Sequence, residues 1–124
     1  NYSSDTDVRT DYNGKANTLA ILETFPSDTT SNNAAVYCNS YSTEGTNAGD
    51  WYLPAEGEVY NYIYLNYAKV KSGWDKVGTT ISNIWFWSSS EYNSDRAWYV
   101  YSHNGLRSDA SKTSTVSFSC FLAL

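Results

Sequence analysis

Four groups of residues in this chain have the type and spacing to do chemistry: one histidine, a pair of glutamates, three early aspartates and two distant cysteines. His103 is the only histidine. A Ser-His-Asp arrangement would need it beside a nucleophile and an acid. It stands next to Asn104-Gly105, a hairpin-turn signal, and nothing adjacent fixes its tautomer. It reads as a strand-end or ligand-contact residue. Glu56 and Glu58, two apart on a helix, point in different directions and cannot easily flank one bond. They read as stabilisers of the positive helix start. Asp5, Asp7 and Asp11 lack the fixed Gly and Glu offsets of a calcium loop, so no metal and no cofactor is expected. Cys38 and Cys120 fit neither a CxxC nor a zinc pattern. They are either two buried thiols or one disulfide, which on the chain-entropy model contributes ~4 kcal/mol. The composition, low in Lys and rich in Tyr, Ser and Asn, looks extracellular and favours the disulfide. No catalytic residue is assigned, and the chain is expected not to be an enzyme.

The elements that must position these groups belong to one domain over residues 1–124. Aromatics make up 17% of the chain, including 5 Trp and 12 Tyr, so much of the core must be ring packing. Charged residues are also only 17%, which leaves the polar surface to Ser, Thr, Asn and Tyr, a mix suited to contact surfaces. A net charge of -5 without Lys/Arg clusters argues against nucleic acid and against anionic membranes. No apolar run approaches the ~18 residues that span a bilayer, so no membrane insertion is expected. No signal peptide is seen, and the start at Asn1 suggests a removed leader or upstream domain.

Residues 1–17 read as loop, and Asn17–Phe25 as a short strand or helical turn ended by Pro26. Asn33 can cap a helix carrying Ala34, Tyr37, Cys38 and Tyr41 on one face. Pro54 precedes a second helix from Ala55 to about Lys71, with Gly73 and Gly78 as breaks and a further turn over 74–82. From Ile84 the period becomes two. Trp85, Phe86, Trp87, Trp98 and Val100 read as fixed core. Ser102, His103, Arg107, Ser108, Asp109, Thr113 and Thr115 read as decoration. Val116–Leu124 reads as a closing strand with Phe118, Cys120 and Leu122 on one face. Helices first and antiparallel strands afterwards define an α+β domain.

Strand alternation then orients a display face. With Trp98 and Val100 inward, Tyr99, Tyr101 and His103 point outward. With Phe118 and Cys120 inward, Ser117 and Ser119 join them. A loop between carries Arg107, Asp109, Ser111, Thr113 and Thr115, and the preceding turn carries Tyr92, Asn93 and Asp95. Together these are the expected ligand contacts. Exposed tyrosines beside His and Arg form a contact cluster of the kind that dominates interfaces.

Two blocks carry a resemblance. Trp51-Tyr-Leu-Pro-Ala-Glu-Gly-Glu58 resembles the W-x-L-P-x-x-x-E segment of C-type-lectin-like domains. Trp87-Ser-Ser-Ser-Glu-Tyr92, followed by Ala97-Trp-Tyr-Val100, Asn104-Gly105, Lys112 and a closing strand with a Cys, is similar to the same family. Asp11-Tyr-Asn-Gly-Lys-Ala-Asn-Thr18 and Ala34-Ala-Val-Tyr-Cys-Asn39 also look like it. The fold is related to that of formylglycine-generating enzymes and serves bacterial surface and fimbrial adhesins. It also serves the variable proteins of diversity-generating retroelements on phage fibres or cell surfaces.

The resemblance implies a C-type-lectin-like fold, a small antiparallel sheet with two flanking helices, and a ligand face on the C-terminal strands. Cys is common at both matching positions, which supports the Cys38–Cys120 bridge. In retroelement members the variable positions lie near the C-terminus. Adenine mutagenesis of an AAY codon never gives Lys, Gln, Glu, Met or Trp, and between Val100 and Cys120 only Lys112 belongs to that set. Formylglycine-type copper chemistry needs a reactive cysteine pair, whereas these two match structural positions. The chain departs from the family at Ser119 and Leu122, where arginines are usual. It also lacks an upstream strand, leaving the C-terminal strand with an open edge, a partner chain, or a substitute from residues 1–10.

The reading that follows is a display module, extracellular on a bacterial cell surface or phage particle. It recognises a protein or glycan ligand and belongs to a larger parent protein or fibre. The alternative is a structural pilin or fimbrial subunit that accepts a neighbour's strand.

Overall fold

A computed structural model gives the architecture and describes residues 2–24, 33–76, 85–102, 104–112 and 116–122. The first part is mainly helical: α1 (Asp5–Val8), α2 (Gly14–Thr24), α3 (Ala34–Ser40), α4 (Glu56–Val59) and α5 (Tyr67–Lys76), with the short strand β1 (Trp51–Tyr52) before α4. The second part holds β2 (Trp85–Glu91), β3 (Arg96–Tyr101), β4 (Arg107–Ser111) and β5 (Phe121–Leu122). β2, β3 and β4 form one antiparallel sheet in that order, and β1 pairs antiparallel with β5. The α+β class is observed. Cys38 and Cys120 are joined in a disulfide that ties α3 to the segment entering β5. No described helix is long and apolar enough to cross a membrane.

α3 begins as its sequence predicts, because Asn33 Oδ1 accepts from the N–H groups of Ala35 and Val36 at 3.0 and 3.3 Å. Residues 14–16, expected to be loop, join most of 17–25, expected to be a short strand or a helical turn, in α2, so the helical alternative holds and runs to 11 residues. Its start is fixed by a distant group, since Gly14 N–H donates to Glu58 Oε1 at 2.9 Å. The expected single helix from Ala55 to Lys71 is interrupted. Residues Tyr60–Tyr64 make a π-helical turn, with Leu65 N–H donating to Tyr60 O at 3.0 Å. Asn66 Nδ2 donates to Asn61 O at 2.8 Å, an asparagine competing with the helical ladder as that side chain does. The helix then continues through Gly73, where nothing crowds the backbone, to Lys76. The turn expected over 74–82 lies largely outside the described residues.

Over 116–122, the described part of the expected closing strand, pairing is interrupted. Among its described residues, Ser117 makes an isolated parallel bridge to Phe86, and Phe121 and Leu122 alone form a strand, paired with Tyr52 and Trp51. The N-terminal residues do not stand in for a missing strand there. Tyr2 N–H instead donates to Glu91 O at the end of β2. Arg107, Asp109 and Ser111, expected in a loop, form β4.

One side of the three-stranded sheet faces the helices, where Phe86 and Val100 pack against Val59 and Ile63. Behind that apolar layer lies a buried polar cluster. Asp11 Oδ1 accepts from Asn13 N–H, and its Oδ2 accepts from Asn17 Nδ2 and Ser90 Oγ, at 2.7–3.0 Å. Ser90 Oγ in turn accepts from Glu56 N–H at 2.9 Å, so a serine from β2 caps α4 in place of the apolar Ala55. Glu58 accepts from Gly14 N–H, Ala55 N–H and, at 2.5 Å, Tyr52 Oη. Thr18 Oγ1 donates to Gly14 O and accepts from Leu53 N–H. Gly57 sits where any side chain would strike the carbonyls of Arg9 and Asp11. The two glutamates therefore do more than stabilise a helix start. They join α2, α4, β2 and β4 through groups that are fully or nearly buried, and such groups need partners.

Candidate ligand-binding face

Register decides which way each side chain of the hairpin points. Asn104-Gly105 makes the expected turn, with Gly105 at φ 70 and packed so that a Cβ there would run into the Tyr64 ring. Tyr101 N–H donates to Leu106 O, Val100 pairs with Arg107, Trp98 with Asp109 and Arg96 with Ser111. Cross-strand partners share a face. Arg107, Asp109 and Ser111 therefore lie on the helix-facing side with Val100 and Trp98. Ser108 and Ala110, opposite Tyr99 and Ala97, lie on the other side, and alternation places Leu106 with them.

Arg107 is the clearest correction. It was expected as an exposed contact, but its side chain is 2% exposed. Arg107 Nε donates to Glu56 Oε1, and the guanidinium lies 4.4 Å from the centre of the Tyr60 ring. Glu56 is itself fully buried. A charge this deep persists because it is paired and stacked. Ser102, read as decoration, is also buried. Asp109 is partly buried and paired to Arg96, which also donates to Asp109 O at 2.9 Å. Ser111 is partly buried.

The outward side gathers rings. On β2, Trp85 pairs with Tyr101 and Trp87 with Tyr99. Trp85 stacks on Tyr101 with centroids 4.3 Å apart and meets Tyr99 edge-on at 4.7 Å. Trp87 reaches Tyr99 edge-on at 6.2 Å. Trp85, expected as core, is 38% exposed, and Leu106 is 61% exposed. Tyr99 and Tyr101 are half-buried beneath and beside the indole. Trp85 was read as core, Ser108 as decoration without a contact role, and Leu106 was not singled out. The signal was present: assigning β4 in register after the Asn-Gly turn would have set Leu106 and Ser108 on the face of the tyrosines, and pairing β2 with β3 would have set Trp85 there.

The other expected contacts scatter. Tyr92 packs edge-on against Trp98. Asn93 Oδ1 accepts from the N–H groups of Asp95 and Arg96, which shapes the turn between β2 and β3. Asp95 is exposed, and its carbonyl accepts from Lys112 N–H. Lys112 Nζ binds Glu91 at 2.6 Å. Ser117 is exposed, with its backbone bridged to β2 at Phe86 and Trp87, and Ser119, next to Cys120 in the chain, is half-buried. His103, Thr113 and Thr115 lie outside the described residues. Of the expected set, the structure brings Tyr99 and Tyr101 together and turns Arg107, Asp109 and Ser111 to the other side.

No group of metal-ligating side chains is found among the described residues. A shallow hollow of about 430 Å³ is lined by Tyr12, Asn13, Lys15, Leu19 and Tyr52. The Tyr52 hydroxyl there is committed to Glu58, and burial and that hydrogen bond push its phenol well above the ordinary range. The arrangement on the sheet can offer flat aromatic contact and hydroxyl groups. Comparison with protein-family models, with curated proteins and with solved structures found no match.

Proposed function

We propose that this chain is a non-enzymatic ligand-binding module of C-type-lectin-like fold, displayed on a cell or phage surface as part of a larger protein or fibre. Its contact face is the outward side of the sheet, at Trp85, Tyr99, Tyr101, Leu106 and Ser108. The observation that carries this reading is the fixed indole of Trp85, exposed while wedged between two tyrosines. A disulfide suits an oxidising compartment and supports extracellular display. The interchangeable positions of a diversified family would be the outward residues of β3 and β4 and the turn between them. Arg107 is excluded from that set, since changing it would strand Glu56 inside the protein.

The pilin reading has less support. The backbones of Leu106 and Lys112 bond towards β3, so those of Arg107, Asp109 and Ser111 turn to the open side of β4. Arg96 covers the middle of that edge by taking the Asp109 carbonyl, a charged guard of the kind that blocks strand addition.

The experiment is an array of glycans and extracellular proteins probed with the wild-type chain and the Trp85→Ala variant. The expected result is a ligand that the variant loses while its unfolding midpoint barely moves. A ligand retained by Trp85→Ala and by Tyr99→Ala would overturn the assignment of the face.

A further inference from the structure

We infer that this chain forms a homodimer in which α2 packs antiparallel on α2 of a second copy, about a twofold axis beside Leu19. None of the residues involved lies on the outward side of the sheet, so the pairing stands or falls apart from the proposed ligand face. Three observations carry it. The first is an apolar helix face turned to solvent. α2 directs Thr18 to Leu53 and Asn17 to Asp11, while Lys15, Ala16, Leu19, Ala20 and Glu23 are exposed. At helical spacing these five share one side. Leu19 is 47% exposed, and Tyr12, just before the helix, is 50% exposed. Tyr12 and Leu19 meet Tyr52 around the same shallow hollow. Exposed apolar groups gathered in this way and rimmed by charge mark a contact surface.

The second is the order of the charges. Lys15 stands four residues before Leu19 and Glu23 four residues after it, in one row along the helix. They are about 12 Å apart along the axis, too far to pair with each other. A copy running the opposite way brings its glutamate to Lys15 and its lysine to Glu23. The surface therefore complements itself, as a twofold contact requires. A copy running the same way would set lysine on lysine and glutamate on glutamate, which is disfavoured.

The third is the helix dipole. The first turn of α2 has no acidic residue and its last turn no basic one. Lys15 instead sits at the positive end and Glu23 near the negative end, each opposed by its own helix. An antiparallel neighbour places its negative end beside Lys15 and its positive end beside Glu23, which makes both placements favourable. One helix face is a small contact, so the dimer is expected to exchange rapidly with monomer.

The test is sedimentation of the intact chain from about 10 μM to about 1 mM, with charge-swapped variants. The wild type is expected to pass from monomer to dimer over that range. Lys15→Glu and Glu23→Lys are each expected to weaken self-association about tenfold or more. An equimolar mixture of the two is expected to regain the dimer, because the glutamates of one then face the lysines of the other. Glu23→Lys also lowers the net negative charge of the chain, so weaker association in that variant marks local pairing rather than overall repulsion. Leu19→Asp is expected to abolish the dimer and leave the unfolding midpoint near that of the wild type. A wild type that stays monomeric throughout overturns the inference. So does a dimer that survives Leu19→Asp, or a mixture of the two charge variants that stays monomeric.

Discussion

The helix-facing side of the three-stranded sheet holds Arg107, Ser88 and Ser90 against Glu56 and Asp11, all buried, whereas the outward side holds Trp85, Tyr99, Tyr101 and Leu106, all at least partly exposed. The usual distribution would place the ions outside and the rings inside. The reversal has a local cause on each side. The ions are tolerated inside because Glu56, Asp11 and Glu58 each accept hydrogen bonds from separate elements. The rings are tolerated outside because they cover one another. Stability should therefore reside on the polar side and recognition on the aromatic side, and substitutions can separate the two.

The largest effect is expected at the buried ion pair. Arg107→Ala leaves Glu56 buried and uncompensated, and it is expected to cost about 3–5 kcal/mol in chemical denaturation. Trp85→Ala removes two ring contacts on an exposed side chain, which at roughly 0.5–1.5 kcal/mol each is a clearly smaller loss. Equal losses from the two variants would erase the distinction between the sides. Arg107→Ala is also expected to destabilise without touching the array ligand at temperatures where the variant remains folded.

The disulfide comes next, because it sits outside both sides of the sheet. Cys38 and Cys120 are 82 residues apart, and opening a loop of that length is expected to cost about 4 kcal/mol on the chain-entropy model. Paired Cys38→Ser and Cys120→Ser substitutions should lower the unfolding midpoint and leave the ring cluster intact. A shift of the Trp85 indole resonance in that variant would mean that the outward side depends on the bridge, and would tie the two regions together.

How far the sequence shows this molecule depends on how local each cause is. Asn33 caps its own helix, and α3 was readable. The Asn-Gly turn and the alternation of β3 were readable for the same reason. α2 was readable only as one of two alternatives and without its start, because the group that satisfies its first N–H is Glu58, 44 positions away. Glu56 and Glu58 looked like surface charges because their partners, Arg107, Tyr52 and Gly14, are brought by tertiary folding. The run Ser88-Ser89-Ser90 looked like filler. It is buried in an irregular stretch of β2, with Ser88 Oγ donating to Trp98 O and Ser90 Oγ to Asp11. The site was half legible. Tyr99 and Tyr101 followed from period two, but one missing strand assignment put Arg107 on the wrong face and hid Leu106 and Ser108.

The smallest expected effect tests how far the polar side reaches. Tyr52 donates to Glu58 at 2.5 Å, and its phenol titrates above its ordinary value, first because of burial and then because of that bond. The fold therefore favours the protonated phenol over the ionised one. Its contribution is complete below the unfolded value of about 10 and is lost as pH rises beyond that, since the unfolded chain gives up the proton first. Denaturation midpoints of the wild type should fall more steeply above pH 10 than those of Tyr52→Phe, with parallel profiles at lower pH. The effect is small because Tyr52 is only partly buried, so solvent screens the bond. Parallel profiles across the whole range would place Tyr52 outside the cluster and end the buried polar side at Glu58, while a steeper wild-type limb would extend it to the rim of β1.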